Sequence, residues 1–242
     1  MRANLITGVM ATLTALPFAV KAEVMADHAM HDVDGFGPVY HMIRLEADTG
    51  AGPHGAVSSW DLDGWIGGDT HKLWLKSEGT QGKSKLEDAE AWMMYSRNVA
   101  TFWDAQVGLR HDEPDSATYA VLGVNGLAPY YFETEAHLFV SDKGKVSARL
   151  REENDLLLTQ KLILKPYAEL NVQAQPDRAR HTGAGLTDGK VGLQTRYEFT
   201  RAFAPYVDIH YGRKFGETSS MAQSQGDDVT ETIGTVGLRL MF

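Results

Sequence analysis

The chain has 242 residues, no cysteine and a formal net charge of −9. Without cysteine there is no disulfide framework, zinc ribbon or thiol nucleophile, and without a basic excess there is no face for the phosphates of a nucleic acid. A mean hydropathy of −0.28 is too polar for a helical membrane protein, but it suits a membrane β-barrel, where half of each strand faces a polar lumen.

Residues 1–22 read as a secretory signal peptide. Arg2 supplies the positive start, Leu5 to Val20 the apolar stretch, and Val20-Lys21-Ala22 the small-residue cleavage site before Glu23. The run is short for a spanning helix and is interrupted by Pro17. Residues 23–38 are expected to form a flexible periplasmic tail, and residues 39–242 a single domain.

In that domain the dominant period is two. Trp60, Leu62 and Ile66 oppose Asp61 and Asp63; Leu162, Leu164, Ala168, Leu170 and Val172 oppose Lys161, Lys165, Glu169 and Asn171; Val236, Leu238, Leu240 and Phe242 oppose Gly237 and Arg239. Such alternation marks strands with one apolar and one polar side. Twelve strands are predicted, at 39–48, 57–67, 70–79, 86–96, 101–111, 117–127, 130–140, 145–156, 159–173, 187–199, 204–215 and 229–242. Most reach ten residues or more, against a mode of about 5–6 in soluble sheets and the ~9–11 of a tilted membrane strand. No stretch shows convincing helical periodicity.

The connections agree. Links after even-numbered strands are tight: Gly68-Asp69, Arg97-Asn98-Val99, Ala128-Pro129, Leu157-Leu158, and Thr200 to Phe203. Links after odd-numbered strands are generally longer, up to Ala174–Leu186 and Gly216–Asp228. Short periplasmic turns and longer outer loops characterise outer-membrane barrels, and an even strand count puts both termini in the periplasm. The terminal Phe242 on an alternating strand resembles the insertion signal of outer-membrane proteins. The expected fold is therefore all-β: a single transmembrane antiparallel barrel of about twelve strands in outer-membrane lipid.

Parity then sends the charged set inward, with both signs mixed: Asp61, Asp63, Lys76, Glu90, Arg110, Glu135, Arg149, Arg151, Lys165, Glu169, Arg196, Asp208 and Arg239 among them. Over the full inward set, which also includes Asp88, Asp104, Glu133, Glu153, Asp155, Glu198 and Glu231 with Lys72, Lys161 and Lys214, acidic residues slightly outnumber basic ones, which permits a cation route. Twelve Tyr and Trp residues, including Trp92, Tyr119 and Tyr206, lie toward predicted strand ends and read as a headgroup-level girdle.

Thioethers and imidazoles are the soft set that suits copper, especially Cu(I). The tail carries His28, Met30 and His31, and His41-Met42 begins the first strand. Inside the barrel, His137 and His210 share lumen parity with Met94 and Met241, each with a carboxylate two residues earlier, Glu135 and Asp208. An entry site at the periplasmic mouth and a second, inner station are expected. Asp208 and His210 could form a hydrolase dyad, but no nucleophile motif accompanies them, so no enzyme is expected.

Four strings carry a resemblance: Trp103-Asp104-Ala105-Gln106-Val107-Gly108-Leu109-Arg110-His111-Asp112, Gly126-Leu127-Ala128-Pro129-Tyr130-Tyr131-Phe132-Glu133, Glu153-Asn154-Asp155-Leu156-Leu157-Leu158-Thr159-Gln160, and Phe203-Ala204-Pro205-Tyr206 with Arg213-Lys214-Phe215-Gly216. From about Gly35 to Phe242 the chain resembles the copper resistance protein B family of Gram-negative outer membranes. The resemblance implies a copper-binding barrel that exports or sequesters periplasmic copper, alongside a periplasmic multicopper oxidase or copper carrier. Many members carry a long Met/His-rich region before the barrel; here only His28, Met30 and His31 correspond to it. The other expected class is a general porin without metal specificity.

Overall fold

The structure, a computed structural model, describes residues 38–53, 55–82, 85–178 and 180–242. The signal peptide and nearly all of the predicted tail, with His28, Met30 and His31, lie outside the described residues. All twelve predicted segments are strands. In chain order they are β1 (Tyr40–Gly52), β2 (Gly55–Gly67), β3 (His71–Gln81), β4 (Leu86–Ala100), β5 (Trp103–Glu113), β6 (Ala117–Ala128), β7 (Phe132–Ser141), β8 (Val146–Glu153), a two-residue β9 (Leu156–Leu157), β10 (Leu162–Gln173), β11 (Gly185–Tyr197), β12 (Phe203–Lys214) and β13 (Thr230–Met241), with a helix α1 (Gly216–Gln225) before β13.

Each strand pairs antiparallel with its neighbour, and β13 pairs with β1 from Arg44↔Met241 to Ala51↔Gly234, so twelve strands close into a barrel. The short β9 adds to β10 through Leu156 and Leu157. Closure leaves no unpaired edge, the condition for a sheet to sit in lipid. Ile43 and Phe242 exchange backbone hydrogen bonds of 3.0 and 2.9 Å, which places both ends of the described chain at one rim. This rim is called the termini end below, and the opposite rim the outer end. Leu73, Leu75, Met93, Leu109, Leu122, Ile209 and Val236 are exposed on the outer surface of the sheet, as a lipid-facing band requires.

Three local expectations change. The first two strands run longer than the hydrophobic pattern suggests, so their link shrinks to 53–54. Thr49 and Ser58 continue the ladder, with Ser58 Oγ donating to Thr49 Oγ1 at 3.1 Å; the small residues here carry no apolar signal but pair as well as any. The loop asymmetry thus rests on two outer links, 174–184 and 215–229. At the termini end the chain does not turn at Leu157-Leu158. It runs through 154–161, closed by Leu158 N donating to Leu162 O (3.0 Å) and by Thr159 Oγ1 accepting from Leu162 N (2.9 Å). The second outer link contains a helix. Its Gly, Ser, Thr and Gln residues have no apolar stripe, which is why periodicity did not reveal it. It is held instead by polar contacts: Gly183 N donates to Thr218 Oγ1 (2.9 Å), and Gly226 ends it in the left-handed conformation at φ 80°.

Candidate functional site

The lumen is the place where chemistry-bearing side chains converge. Arg149 and Arg151 on β8 cross it. Arg149 donates to Glu78 on β3 (2.7 Å) and Glu90 on β4 (2.8 Å), and Arg151 to Glu78 (2.8 Å) and to Glu169 on β10 (2.8 Å). Lys76 on β3 reaches Glu135 on β7 at 2.5 Å and Asp63 at 3.1 Å. The contacts of Arg149 and Arg151 with Glu78, of Arg149 with Glu90 and of Lys76 with Glu135 join strands several places apart in the ring, so they form a transverse band of charge, to which Glu169 and Asp63 add from the strands next to β8 and β3. Burial of such charges is tolerable because each is paired and hydrogen-bonded.

The band divides two differently filled regions. Toward β4–β7 the inward residues are apolar and aromatic. Trp92, Met94, Ala117, Tyr119, Val121 and Phe139 form one buried cluster, with Trp74 against it. The Arg110 guanidinium sits 4.3 Å from the Phe139 ring centre, 4.7 Å from Tyr119 and 5.3 Å from Trp92, and forms a forked pair with Asp112 at 2.6 Å. Where this cluster meets the charge band, a cavity of about 20 Å³ lies between Trp92, His137, Lys76 and Arg149, room for about one water. Trp92, Tyr119 and Tyr206 therefore are not girdle residues: they share the parity of the inward charges and are buried in the lumen. The girdle at the termini end is made by Phe102, Tyr130, Tyr131, Tyr197, Phe199 and Phe242, all exposed.

Toward β10–β13 and β1 lies a cavity of about 680 Å³, lined by Glu46, Asp48, Lys165, Tyr167, Gln194, Asp208, His210 and others. Tyr167 OH donates to Asp208 Oδ1 (3.0 Å) and Tyr206 OH to Asp48 Oδ2 (2.8 Å). Both rings lie over a glycine on the intervening strand, Gly192 and Gly237, where an added Cβ would stand 2.2 and 2.5 Å from the ring. Alternation alone would have placed a side chain there and blocked the reach.

The predicted ligands separate. His41 and Met42 are neighbours on β1, so the pleat sends them to opposite faces; Met42 shares the parity of the inward Arg44 and Glu46, and exposed His41 that of Ile43 and the lipid side. Met42 and Met241 face inward on adjacent strands, diagonal to one another, because Met241 is opposite Arg44. The Met241 sulfur lies 3.9 Å from Arg239 Nη2. His137 is buried, with Nε2 2.8 Å from Gln106 Oε1 and its ring 5.3 Å from Trp92. It reaches Gln106 by lying over Gly123. His210 lines the wide cavity instead, with Nδ1 3.0 Å from Asp208 Oδ1. The two histidines thus occupy different regions and do not share one pocket. Glu135 turns to Lys76 rather than His137, whereas Asp208 does orient His210. Among the described residues no group of three or more His, Asp or Glu is placed to hold a metal.

At the termini end Arg196 donates through Nη1 and Nη2 to the two carboxylate oxygens of Asp155 in the β8–β10 link. Burial raises the Asp155 pKa, but the hydrogen bonds and charge of Arg196, with Lys165 and Arg239, outweigh it and hold the carboxyl below its usual range. Gln106 and Gln194 were missed in the sequence; an amide among charged residues gives no periodic or motif signal.

The profile of the copper resistance protein B precursor family matches residues 40–242. Copper resistance protein B of Escherichia coli is 44% identical over 186 residues, covering 76% of this chain and 63% of that protein, so the chain spans a little under two thirds of this relative's length. A copper resistance protein B homolog of Pseudomonas syringae pathovar tomato is 38% identical over 226 residues, covering 93% of this chain and 77% of that protein. Among solved structures, the NanC porin matches with a TM-score of 0.57 at 11% identity, covering 81% of this chain and 98% of that one. The KdgM porin matches at 0.52 and 11%, covering 83% and 99%. These two show an outer-membrane barrel fold and nothing further.

Proposed function

The chain belongs to the copper resistance protein B family, and from that premise we propose that it supports copper resistance by collecting periplasmic copper at the termini end of its barrel. The observation that carries this reading is the pair of inward thioethers, Met42 and Met241, on adjacent strands at the termini end of the barrel. Sulfur of this kind prefers Cu(I), and it needs no deprotonation to bind. His28, Met30 and His31, which precede β1 in the sequence and lie outside the described residues, add soft ligands to the chain's set, and His210, oriented by Asp208, offers an inner station in the wide cavity. His137 is spoken for by Gln106 and the aromatic cluster, which makes it the weaker inner candidate. His41, on the other face, stands apart from the thioether pair. No step in this reading is catalytic: the protein takes periplasmic copper as cargo, working alongside a multicopper oxidase or copper carrier, and either retains it or passes it outward.

Competition of the purified protein with a chromophoric Cu(I) chelator tests the reading. Met42→Leu with Met241→Leu should weaken Cu(I) binding at least about tenfold and lower copper tolerance in cells. The His28→Ala, Met30→Ala, His31→Ala variant should also weaken binding while the barrel assembles. Loss of binding below about pH 6.5 would indicate imidazole ligands, and persistence there thioethers. Unchanged Cu(I) affinity in both variants refutes the rim site. If His210→Ala alone matters, the inner station is primary. The wide cavity favours one other reading, a general porin. A deletion strain with normal copper tolerance and altered uptake of small solutes would establish that instead.

A further inference from the structure

We propose that the open side of the lumen holds an oxygen-lined site for a hard divalent cation of the calcium class, formed by Gln194, Asp208 and Thr235 with Glu46 at its rim. The three residues stand side by side on β11, β12 and β13, since Gln194 is opposite Asp208 and Asp208 is opposite Thr235. All three line the wide cavity and are only 5%, 7% and 5% exposed. Each presents a buried oxygen with no hydrogen-bond partner in the protein: Gln194 Oε1, Asp208 Oδ2 and Thr235 Oγ1. Glu46 Oε1 is a fourth. Native structures leave very few buried polar atoms in this state, and four on neighbouring strands around one cavity point to a shared ligand.

The side chains cannot easily turn to relieve the shortage. The Gln194 amide is oriented by Nε2 donating to Glu46 Oε2 (2.9 Å), which leaves its carbonyl end free. Asp208 is fixed through its other oxygen, which accepts from Tyr167 OH and contacts His210 Nδ1, both at 3.0 Å. The ion pair of Asp208 is with that histidine, and no Lys or Arg pairs with it among the described residues. Glu46 is different, because its Oε1 lies 3.7 Å from Arg239 Nε, and so it belongs to the rim.

Carboxylate, amide carbonyl and hydroxyl oxygens are the donors of a hard cation, and water from the cavity completes the six to eight ligands that calcium takes. Sulfur is absent from the set, and the one imidazole beside it faces Asp208 Oδ1 rather than Oδ2, so a soft metal has no advantage here. The field favours entry of a cation: the cavity is lined by fourteen Asp and Glu against six Lys and Arg. The site does not depend on copper, and its test contains none.

Calcium titration of the EDTA-stripped, full-length protein in detergent, followed by calorimetry, decides the matter. The parent should show one saturable calcium site. Asp208→Asn should weaken it at least about tenfold and Thr235→Val severalfold, while Asp115→Asn, in an outer turn, leaves it unchanged. The urea midpoint of the parent should rise with calcium, and that of Asp208→Asn should not. Heat-modifiable gel migration reports barrel assembly; should Asp208→Asn fail to assemble, Thr235→Val and Gln194→Leu carry the test. Absence of saturable calcium uptake by the parent overturns the proposal, as does parent-like affinity in Asp208→Asn or, if that variant fails to assemble, in both substitutes. The four oxygens would then hold buried water only.

Discussion

Along β4–β7 the inward positions carry Trp92, Met94, Tyr119, Val121 and Phe139, wrapped around Arg110, and leave room for about one water in the adjoining cavity of about 20 Å³. Along β10–β13 and β1 they carry Tyr167, Gln194, Asp208, Thr235 and Glu46 around a cavity of about 680 Å³. Both walls obey the same alternation. They differ in what fills the space between inward positions: rings stacked on a guanidinium in one, and tyrosines laid over Gly192 and Gly237 in the other. One lumen can thus be apolar and closed on one side and polar and open on the other. The open wall is the one where acidic residues dominate.

The sharpest way to break that contrast is to remove Arg110. It is buried, and its loss leaves Asp112, among the described residues, with Arg180 of the outer link as its remaining cation, at 2.8 Å. Arg110→Ala should cost about 3–5 kcal/mol, the scale for breaking a buried pair. Lys190→Ala, in the lining of the open cavity, should cost under about 1 kcal/mol. Urea unfolding in micelles measures both. Equal costs would mean that the two walls do not differ in packing.

A smaller effect comes from overfilling the closed wall. A Cβ at Gly123 would lie 2.4 Å from His137 Cδ2 and 2.6 Å from the backbone oxygen of Ala136. Gly123→Val should cost about 1–3 kcal/mol and move the histidine off Gln106, visible as a changed imidazole signal in NMR. An unaltered His137 resonance would show that this wall is looser than its contacts indicate.

The smallest effect is at the termini end of the open wall. Because the folded Asp155 pKa lies below its unfolded value, its tie to Arg196 contributes stability above the ordinary carboxylate pKa of about 3.9, and loses it as pH falls through the lower folded value. The side chain is partly exposed, so the contribution is modest. Asp155→Asn should lower the urea midpoint slightly at pH 7 and hardly at all at pH 2. A deficit that persists at pH 2 would assign the loss to geometry rather than charge.

The period of two was enough for the number of long strands and the inward placing of Met94, His137, His210 and Met241; it did not place Met42, and it put the inward Trp92, Tyr119 and Tyr206 in the girdle. Strand ends were less legible where residues are small and polar, as at Thr49–Gly52, and α1 was invisible because no apolar stripe marks it. Among the site residues, the sequence could offer His137 and His210 as a pair, both inward with a carboxylate nearby. It could not show that one is bound to Gln106 among aromatic rings and the other to Asp208 in open space.

What the sequence by itself determined, then, is local: alternation follows from the pleat, and the pleat needs only neighbours along the chain. Which inward residues meet was decided by closure of the ring. Arg149 pairs with Glu78 across 71 positions, Gln194 with Glu46 across 148 and Tyr206 with Asp48 across 158. Parity says that each of these points inward and is silent about the depth and side at which it arrives. Those depend on the register of every intervening ladder and on where the last strand joins the first, and so do the closed wall, the open wall and the four oxygens left without partners between β11 and β1.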